Sequence, residues 1–296
     1  MAKSKSKQKQ QPRSVTAALT VPAGPVDLRS CDTSATPGFH GDKAAGRAAL
    51  AAMSDVLSDL QERLFAQGRT GGRRRILLVL QGMDTSGKGG VMRHAVGLFD
   101  PQGVRIKAFA APSEEELRHD FLWRVKRELP GPGLIGIFDR SHYEDVLVGR
   151  VRGLVSEADI EARYEAINEL ERSLVADGTT VVKCMLHISA EEQKERLLAR
   201  LDNPAKHWKF DPGDVDERAL WPEYQQAYEI ALTRCRSEAA PWLVVPSDRK
   251  WYRNWAVASV LRETLEALDL RWPEATFVVE EQRARLTGQN PGRGRR

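Results

Sequence analysis

The chain has 296 residues, of which 29% are charged, and a formal net charge of +4 at pH 7. Its longest aliphatic runs have the length of a strand, so no transmembrane helix is expected. No apolar stretch of a secretory signal follows its basic start. The three cysteines are far apart and show neither zinc nor redox spacing, which favours a reducing cytoplasm as the location.

The positive charge is concentrated at the two ends of the chain. Residues 1–14 carry five basic and no acidic side chains, and residues 281–296 carry five arginines and one glutamate. The part between them therefore has a net charge of −5. A mildly acidic body argues against specific binding of nucleic acid, although the basic ends could contact anionic polymers without reading a sequence.

The chain is predicted to consist of an N-terminal extension, one catalytic domain and a C-terminal tail. Residues 1–40 are rich in Lys, Gln, Ser, Pro and Gly, which indicates a disordered or arm-like extension. Residues 41–272 form the predicted domain, and residues 273–296 form a basic tail.

Inside the domain, strand patterns alternate with helix patterns. Apolar runs predict strands at residues 76–81, 104–109, 134–138, 179–188 and 242–245. Helical spacing and capping boxes predict helices at residues 43–67, 91–99, 113–129, 157–175, 190–201, 216–236 and 247–268. This alternation predicts an α/β fold, with a parallel, doubly wound sheet and helices on both faces.

The segment between the first strand and its helix fits the phosphate-loop pattern G-x-x-x-x-G-K over residues 82–88. Glycines let the backbone approach phosphate oxygens, so that N–H groups and the helix N-terminus face the anion. Lys88 adds a positive charge for the outer phosphates. The predicted phosphate contacts of this loop and helix are Gly82, Ser86, Gly87, Lys88, Gly89, Gly90 and Arg93.

One position departs from the usual phosphate loop. The residue after the lysine, Gly89, lacks the hydroxyl group that normally binds Mg²⁺. Asp84 is the predicted replacement, because Mg²⁺ prefers carboxylate and phosphate oxygens. The alternative is that Asp84 only caps the turn. A carboxylate without a metal would repel the phosphates, so the metal role is favoured.

A second group of polar residues follows the third strand. Asp139 ends this strand, and in P-loop proteins an aspartate at this place reaches the Mg²⁺ beside the loop. Arg140 is predicted to contact the transferred phosphoryl group rather than to form a structural ion pair. Asp145 and Ser113 are candidate contacts of the acceptor or metal. Glu144 is expected to be structural, because acidic residues are common in the first turn of a helix.

Residues 196–214 are predicted to form a lid. Arg196 and Arg200 lie four residues apart and so share one helix face. Lys206 and Lys209 follow in an aromatic stretch between two prolines. The simpler alternative is a solvated loop, but a phosphate-binding lid is favoured because an anion site already exists nearby and lid closure would exclude water.

Four motifs together resemble the polyphosphate kinase 2 family. They are residues 82–90, 111–117, 138–146 and 207–210, and the likeness spans roughly residues 40–270.

This resemblance implies a three-layer, P-loop kinase-like α/β fold similar to that of thymidylate kinase, with a lid. It also implies Mg²⁺-dependent, reversible transfer of the terminal phosphate of inorganic polyphosphate to a nucleotide. By this likeness Asp84 and Asp139 hold Mg²⁺, Lys88 and Arg140 contact the transferring phosphates, and the lid cations meet the anionic substrates. A homo-oligomer is expected.

Three hypotheses about function stay open. The first is a polyphosphate:nucleotide phosphotransferase whose acceptor is ADP or AMP, or GDP or GMP. The second is an ATP-dependent kinase of a small metabolite or nucleotide, and the third is a non-catalytic nucleotide- or RNA-binding protein. A linear polyanion requires several cations in a row, whereas ATP needs only the loop, the metal and one arginine. The clustered lid cations therefore favour the first hypothesis.

Overall fold

A parallel sheet forms the centre of the protein. The structure is a computed structural model and describes residues 14–288. In this part of the chain one five-stranded sheet is present, in the order β2-β3-β1-β4-β5 with all neighbours parallel. The strands are β1 (Arg75–Gln81), β2 (Val104–Ala108), β3 (Ile135–Asp139), β4 (Thr179–His187) and β5 (Trp242–Pro246). The predicted parallel α/β fold is confirmed.

The central strand β1 explains the layered architecture. Ile76 and Leu78 lie in one apolar core, and Leu77 and Val79 lie in the other. Successive side chains of a strand point to opposite faces, so a continuous apolar run requires helices on both sides. The helices of the described residues are α1 (Val15–Leu19), α2 (Lys43–Ala51), α3 (Ser54–Arg69), α4 (Lys88–His94), α5 (Trp123–Lys126), α6 (Glu144–Val151), α7 (Glu157–Ala176), α8 (Ala190–Leu201), α9 (Gly213–Ala219), α10 (Trp221–Arg234), α11 (Lys250–Ala267) and α12 (Val279–Leu286).

Each helical layer covers one core. Helices α1, α3, α4 and α11 contribute to the first core, and α6, α7 and α10 contribute to the second. None of the helices found within residues 14–288 is long and apolar enough to cross a membrane.

Two predicted helices are each split into two. The predicted helix at residues 43–67 is α2 followed by α3. The two helices bury different surfaces, since Gly46 of α2 lies against the ring of Trp251, whereas α3 buries an apolar face of its own. The predicted helix at residues 216–236 is α9 followed by α10. It breaks next to Pro222, which cannot donate a helical hydrogen bond and is accommodated in the first turn of α10.

The helix predicted at residues 113–129 is wrong. Its capping box forms, since the Ser113 N–H donates to Glu116 Oε2 at 2.9 Å and the Glu116 N–H donates to Ser113 Oγ at 3.3 Å. Only the 3₁₀ turn Glu116–Arg118 and the four-residue α5 follow. Most residues between 113 and 120 are exposed, so this segment has no apolar face that tertiary packing could stabilise.

The described part of the N-terminal extension, residues 14–40, packs on the body. Glu263 of α11 accepts hydrogen bonds from Ser14 Oγ at 2.6 Å and from the Val15 N–H at 2.7 Å. Leu28 is fully buried, and its carbonyl lies 3.0 Å from His187 Nε2 at the end of β4. The extension therefore contributes to the core beside the carboxyl ends of the strands. Residues 1–13 lie outside the described residues.

Leu28→Ala should lower the free energy of unfolding by about 2–5 kcal/mol, because it removes a fully buried side chain and leaves a cavity. Leu198→Ala is the matched control, since Leu198 is 44% exposed and its loss should change the free energy by no more than about 0.5 kcal/mol. Denaturant unfolding measures both. Equal values for the two variants would show that residues 14–40 do not belong to the folded body.

Candidate active site

The predicted phosphate loop joins the carboxyl end of β1 to the start of α4. Gly82 and Gly87 adopt φ angles of +148° and +113°, which side chains other than glycine rarely allow. Lys88 Nζ donates a hydrogen bond to the Gly82 carbonyl at 2.8 Å, across the mouth of the loop. The Gly82 N–H donates to Tyr228 Oη of α10 at 3.1 Å, so the second helical layer holds the start of the loop.

Two arginines support the loop from below. Arg196 is only 7% exposed, and its Nη1 donates to the carbonyls of Thr85 at 2.8 Å and Ser86 at 3.0 Å. Arg253 of α11 donates from Nη1 to the same Ser86 carbonyl at 3.1 Å. Arg196, predicted to be a lid cation, thus lies under the loop instead of facing a cavity. Ser86 is also buried there, and its Oγ has no hydrogen-bond partner.

A cavity of about 590 Å³, here called the loop cavity, opens above the loop. Lys88 and Arg140 line it together with both predicted metal ligands, Asp84 and Asp139. Further cations approach it from α4 and from the lid. The residues that line the loop cavity and were predicted as contacts are Asp84, Gly87, Lys88, Gly89, Gly90, Arg93, Asp139, Arg140, Arg200 and Lys209.

Arg140 forms the kind of ion pair that was the alternative to its predicted phosphate contact, and it also faces the loop cavity. Its Nη2 lies 2.9 Å from Asp84 Oδ1. Its φ of +64° is unusual, and its N–H donates to the Leu80 carbonyl of β1 at 3.0 Å. Burial opposes its charge, but the carboxylates of Glu144 and Asp84 raise the pKa of Arg140 above the ordinary value.

A second cavity of about 520 Å³, here called the side cavity, adjoins the first. Asp84, Phe109, Ala110 and Arg140 line both cavities and so form the boundary between them. The side cavity has a mixed lining. Its apolar side chains include Leu117, Leu147, Val148, Leu154 and Val155, and its charged side chains include Arg124, Glu144, Asp145, Arg163 and Glu217.

The two acids at the start of α6 both lie in the wall of the side cavity. Asp145 lies 3.3 Å from Arg124 Nη2 and 3.6 Å from Arg163 Nη1, and burial raises its pKa despite these two cations. Glu144 accepts a hydrogen bond from Gln81 Nε2 at 2.9 Å. Burial also raises the pKa of Glu144, although the charge of Arg140 acts in the opposite direction.

The predicted lid consists of the end of α8, the 3₁₀ turn Pro204–Lys209 and the start of α9. Arg200 Nη1 donates to the Lys209 carbonyl at 2.8 Å and to Asp214 Oδ2 at 3.1 Å, which ties the three parts together. Lys206 is exposed and lines neither of the two cavities. Ser113 is also outside both cavities, because it caps the 116–118 turn.

The carboxylates of the loop cavity fit a magnesium ion that is held partly by substrate. Within residues 14–288, no group of three or more His, Cys, Asp or Glu side chains could hold a metal ion. Mg²⁺ characteristically uses one or two protein carboxylates, keeps several waters and completes its shell with substrate phosphates. Asp84 and Asp139 both line the loop cavity beside the phosphate-loop pattern, and they would supply such a pair of carboxylates.

Comparison with known proteins identifies the family. Residues 40–272 match the family described as Polyphosphate kinase 2. The chain belongs to the polyphosphate kinase 2 family. It is 47% identical over 260 residues to an AMP/ADP-polyphosphate phosphotransferase of Meiothermus ruber, which covers 88% of this chain and 96% of that relative. It is 41% identical over 263 residues to an ADP-polyphosphate phosphotransferase of Rhodopseudomonas palustris, with coverages of 85% and 89%.

A solved structure agrees with this assignment. The crystal structure of Polyphosphate Kinase 2 from Arthrobacter aurescens TC1 superposes with a TM-score of 0.91 at 50% sequence identity. The match covers 93% of this chain and 97% of that chain. The predictions of a polyphosphate kinase 2 family member, of a P-loop kinase-like fold and of a phosphotransferase are confirmed.

Gly87→Ala should reduce phosphate transfer by this polyphosphate kinase 2 family member at least about tenfold, because a side chain at φ +113° costs about 1–2 kcal/mol and would also displace Arg253. Gly97→Ala is the control, since Gly97 is exposed and the nearest atom to its added Cβ, the Met92 carbonyl oxygen, is 3.7 Å away. Initial rates of nucleotide formation compare the two. A Gly87→Ala variant as active as Gly97→Ala would contradict the described loop geometry.

Proposed function

We propose that the loop cavity holds the end of inorganic polyphosphate, that the side cavity holds the acceptor nucleotide, and that the terminal phosphate passes between them at Asp84 and Arg140. The observation that carries this proposal is the shared boundary, since two cavities of different chemistry meet at one acidic and one basic side chain. A group transfer requires its two substrates to meet at one point in a fixed orientation.

The lining of the loop cavity supports a polyphosphate donor. Five cations line it, Lys88, Arg93, Arg140, Arg200 and Lys209, and they come from the loop, α4, the end of β3 and the lid. Each can make a charge-assisted hydrogen bond to a phosphate oxygen. This set is larger than the triphosphate of one ATP molecule requires.

The lining of the side cavity supports a nucleotide acceptor. Leucine and valine side chains offer an apolar surface to a base and a ribose, while Arg124 and Arg163 lie beside Asp145 in the same lining. Small-molecule sites commonly combine an apolar wall with a few polar groups that orient the ligand. The likeness to the relative named AMP/ADP-polyphosphate phosphotransferase further supports an adenosine mono- or diphosphate as the acceptor.

The chemistry needs no general base, because the attacking oxygen of a nucleotide phosphate is already ionised. The work of the protein is therefore to position the substrates and to stabilise negative charge on the transferred group. Lys88 would release the Gly82 carbonyl and bind the donor phosphates, and Arg140 would contact the transferred group from the boundary. Mg²⁺, when held by Asp84 and Asp139, would neutralise further charge on the phosphates. Bonds of the same kind break and form, so the same residues serve transfer in both directions.

The acceptor and donor can be tested in one set of assays. The purified protein with Mg²⁺ and polyphosphate should convert ADP to ATP and AMP to ADP, and GDP and GMP serve as acceptors for comparison. Nucleotide products separated by chromatography measure the reaction. ATP-driven phosphorylation of another metabolite, together with no product from any of the four nucleotides, would support the second hypothesis instead.

Asp84→Asn and Asp139→Asn should each raise the Mg²⁺ concentration for half-maximal activity at least about tenfold, because the amide loses the negative charge of a predicted metal ligand. Asp55→Asn on the exposed first turn of α3 is the matched control. Magnesium titrations of the initial rate measure the effect. Titration curves that superimpose on that of Asp55→Asn would show that the two carboxylates do not bind the metal.

A further inference from the structure

The underside of the phosphate loop holds a buried cation that the reaction described above does not use. Arg253 is 3% exposed, and besides the bond to Ser86 it donates from Nε and Nη2 to Asn254 Oδ1 at 3.2 and 2.8 Å. A Cβ atom on either Gly87 or Gly90 would overlap its guanidinium group. The loop backbone therefore lies directly on this side chain.

The charge of Arg253 is not neutralised in its surroundings. Among the residues that the structure describes, none forms an ion pair with it. The carboxylate that acts on it, Glu192, is bonded to Arg196 Nε at 2.7 Å. Arg196 is itself buried and donates to the same Ser86 carbonyl as Arg253. Two guanidinium groups thus share one carboxylate beneath the loop.

An unpaired buried charge is unfavourable, and this lowers the pKa of the Arg253 guanidinium group. Burial, followed by the charge of Arg196, lowers the pKa of Arg253 to about 9, although an arginine is ordinarily charged at every accessible pH. Lys250, one turn earlier on α11, is a further cation nearby, and burial and the charge of Arg196 lower its pKa. An anion above the loop would relieve this excess of positive charge.

The two arginines also orient a peptide group. The Ser86 carbonyl accepts from both guanidinium groups, and no cis peptide bond occurs within residues 14–288. In a planar trans peptide the C=O and the following N–H point in opposite directions. The Gly87 N–H therefore points away from Arg253, on the side where Gly87 lines the loop cavity.

We propose that Arg253 is a positioning residue for the polyphosphate donor: it holds the Ser86–Gly87 peptide with its N–H toward the donor phosphates and places an uncompensated positive charge beneath them. This inference rests on the proposed donor position in the loop cavity. Arg253 lines neither cavity, so it acts through the loop backbone. Its loss should weaken binding of the donor and spare binding of the acceptor.

The test compares Arg253→Met, Arg253→Lys and the matched control Arg75→Met with the unmodified protein. Arg75 is another largely buried arginine, but it lies at the opposite end of β1, where it is bonded to Asp177 and Thr179. Steady-state kinetics give KM for polyphosphate and for ADP, and calorimetry gives the Kd of polyphosphate without any nucleotide. Thermal melts report the fold.

Arg253→Met should raise KM and Kd for polyphosphate roughly ten- to a hundredfold, the range expected for a lost hydrogen bond to a charged group, and should leave KM for ADP within about twofold. Arg253→Lys keeps the charge but cannot make all three hydrogen bonds. Its affinity for polyphosphate should therefore lie between those of Arg253→Met and the unmodified protein. Arg75→Met should lower the melting temperature without changing the donor KM.

Three results would overturn the inference while leaving the proposed donor site in place. The first is a folded Arg253→Met variant with unchanged donor affinity, and the second is an equal rise of both KM values, which would indicate a general packing role. If Arg253→Met does not fold, Arg253→Lys serves as the test variant. The third result is then an Arg253→Lys protein that binds polyphosphate as tightly as the unmodified protein does but has a lowered melting temperature. Absence of polyphosphate binding by the unmodified protein would overturn the proposed donor site as well, which separates the two failures.

Discussion

The parallel register around β1 is the constraint on which the site depends. Leu80 of β1 lies opposite Asp139 of β3, so the phosphate loop and the predicted metal ligand leave the sheet at the same level. The Leu80 carbonyl then accepts the Arg140 N–H, which sets the turn after β3. A slip by one residue would move every side chain of β1 to the other face of the sheet.

A buried polar cluster keeps the turn after β3 in place. Lys183 of β4 is fully buried, and its Nζ donates to Glu171 Oε2 at 2.5 Å and to the Cys235 carbonyl at 2.7 Å. Tyr143, three residues after Arg140, donates to the other Glu171 oxygen at 2.7 Å. Burial disfavours the charge of Glu171, but Lys183 lowers its pKa below the ordinary value. Either charge alone would be strongly destabilising at this depth, so the pair holds Tyr143, and with it the start of α6, in one position.

The parts of the site that follow from the order of motifs along the chain were predictable from the sequence. The sequence did not show in which direction individual side chains extend in the folded protein. The loop of residues 82–88 and Asp139 follow apolar strands in a fixed order, and strand order alone brings them together. Helical spacing places Arg196 and Arg200 on one face of α8, but it does not show that Arg196 reaches under the loop. A sequence signal for Arg253 was present, because this charged residue lies between Trp251 and Trp255 in a helix that is buried on nearly every side. The break at Pro222 was equally readable.

The distribution of charge over the molecule makes the loop cavity more attractive to anions than the rest of the surface. Residues 15–280 have a net charge of −5, yet five cations line the loop cavity and two more arginines lie beneath it. The remaining surface of this part is therefore more acidic than the net value indicates. A cleft lined by one sign of charge concentrates the field and raises the local concentration of the opposite ion. A long polyanion is thus repelled along most of the body and attracted to the cavity in which we propose that transfer takes place.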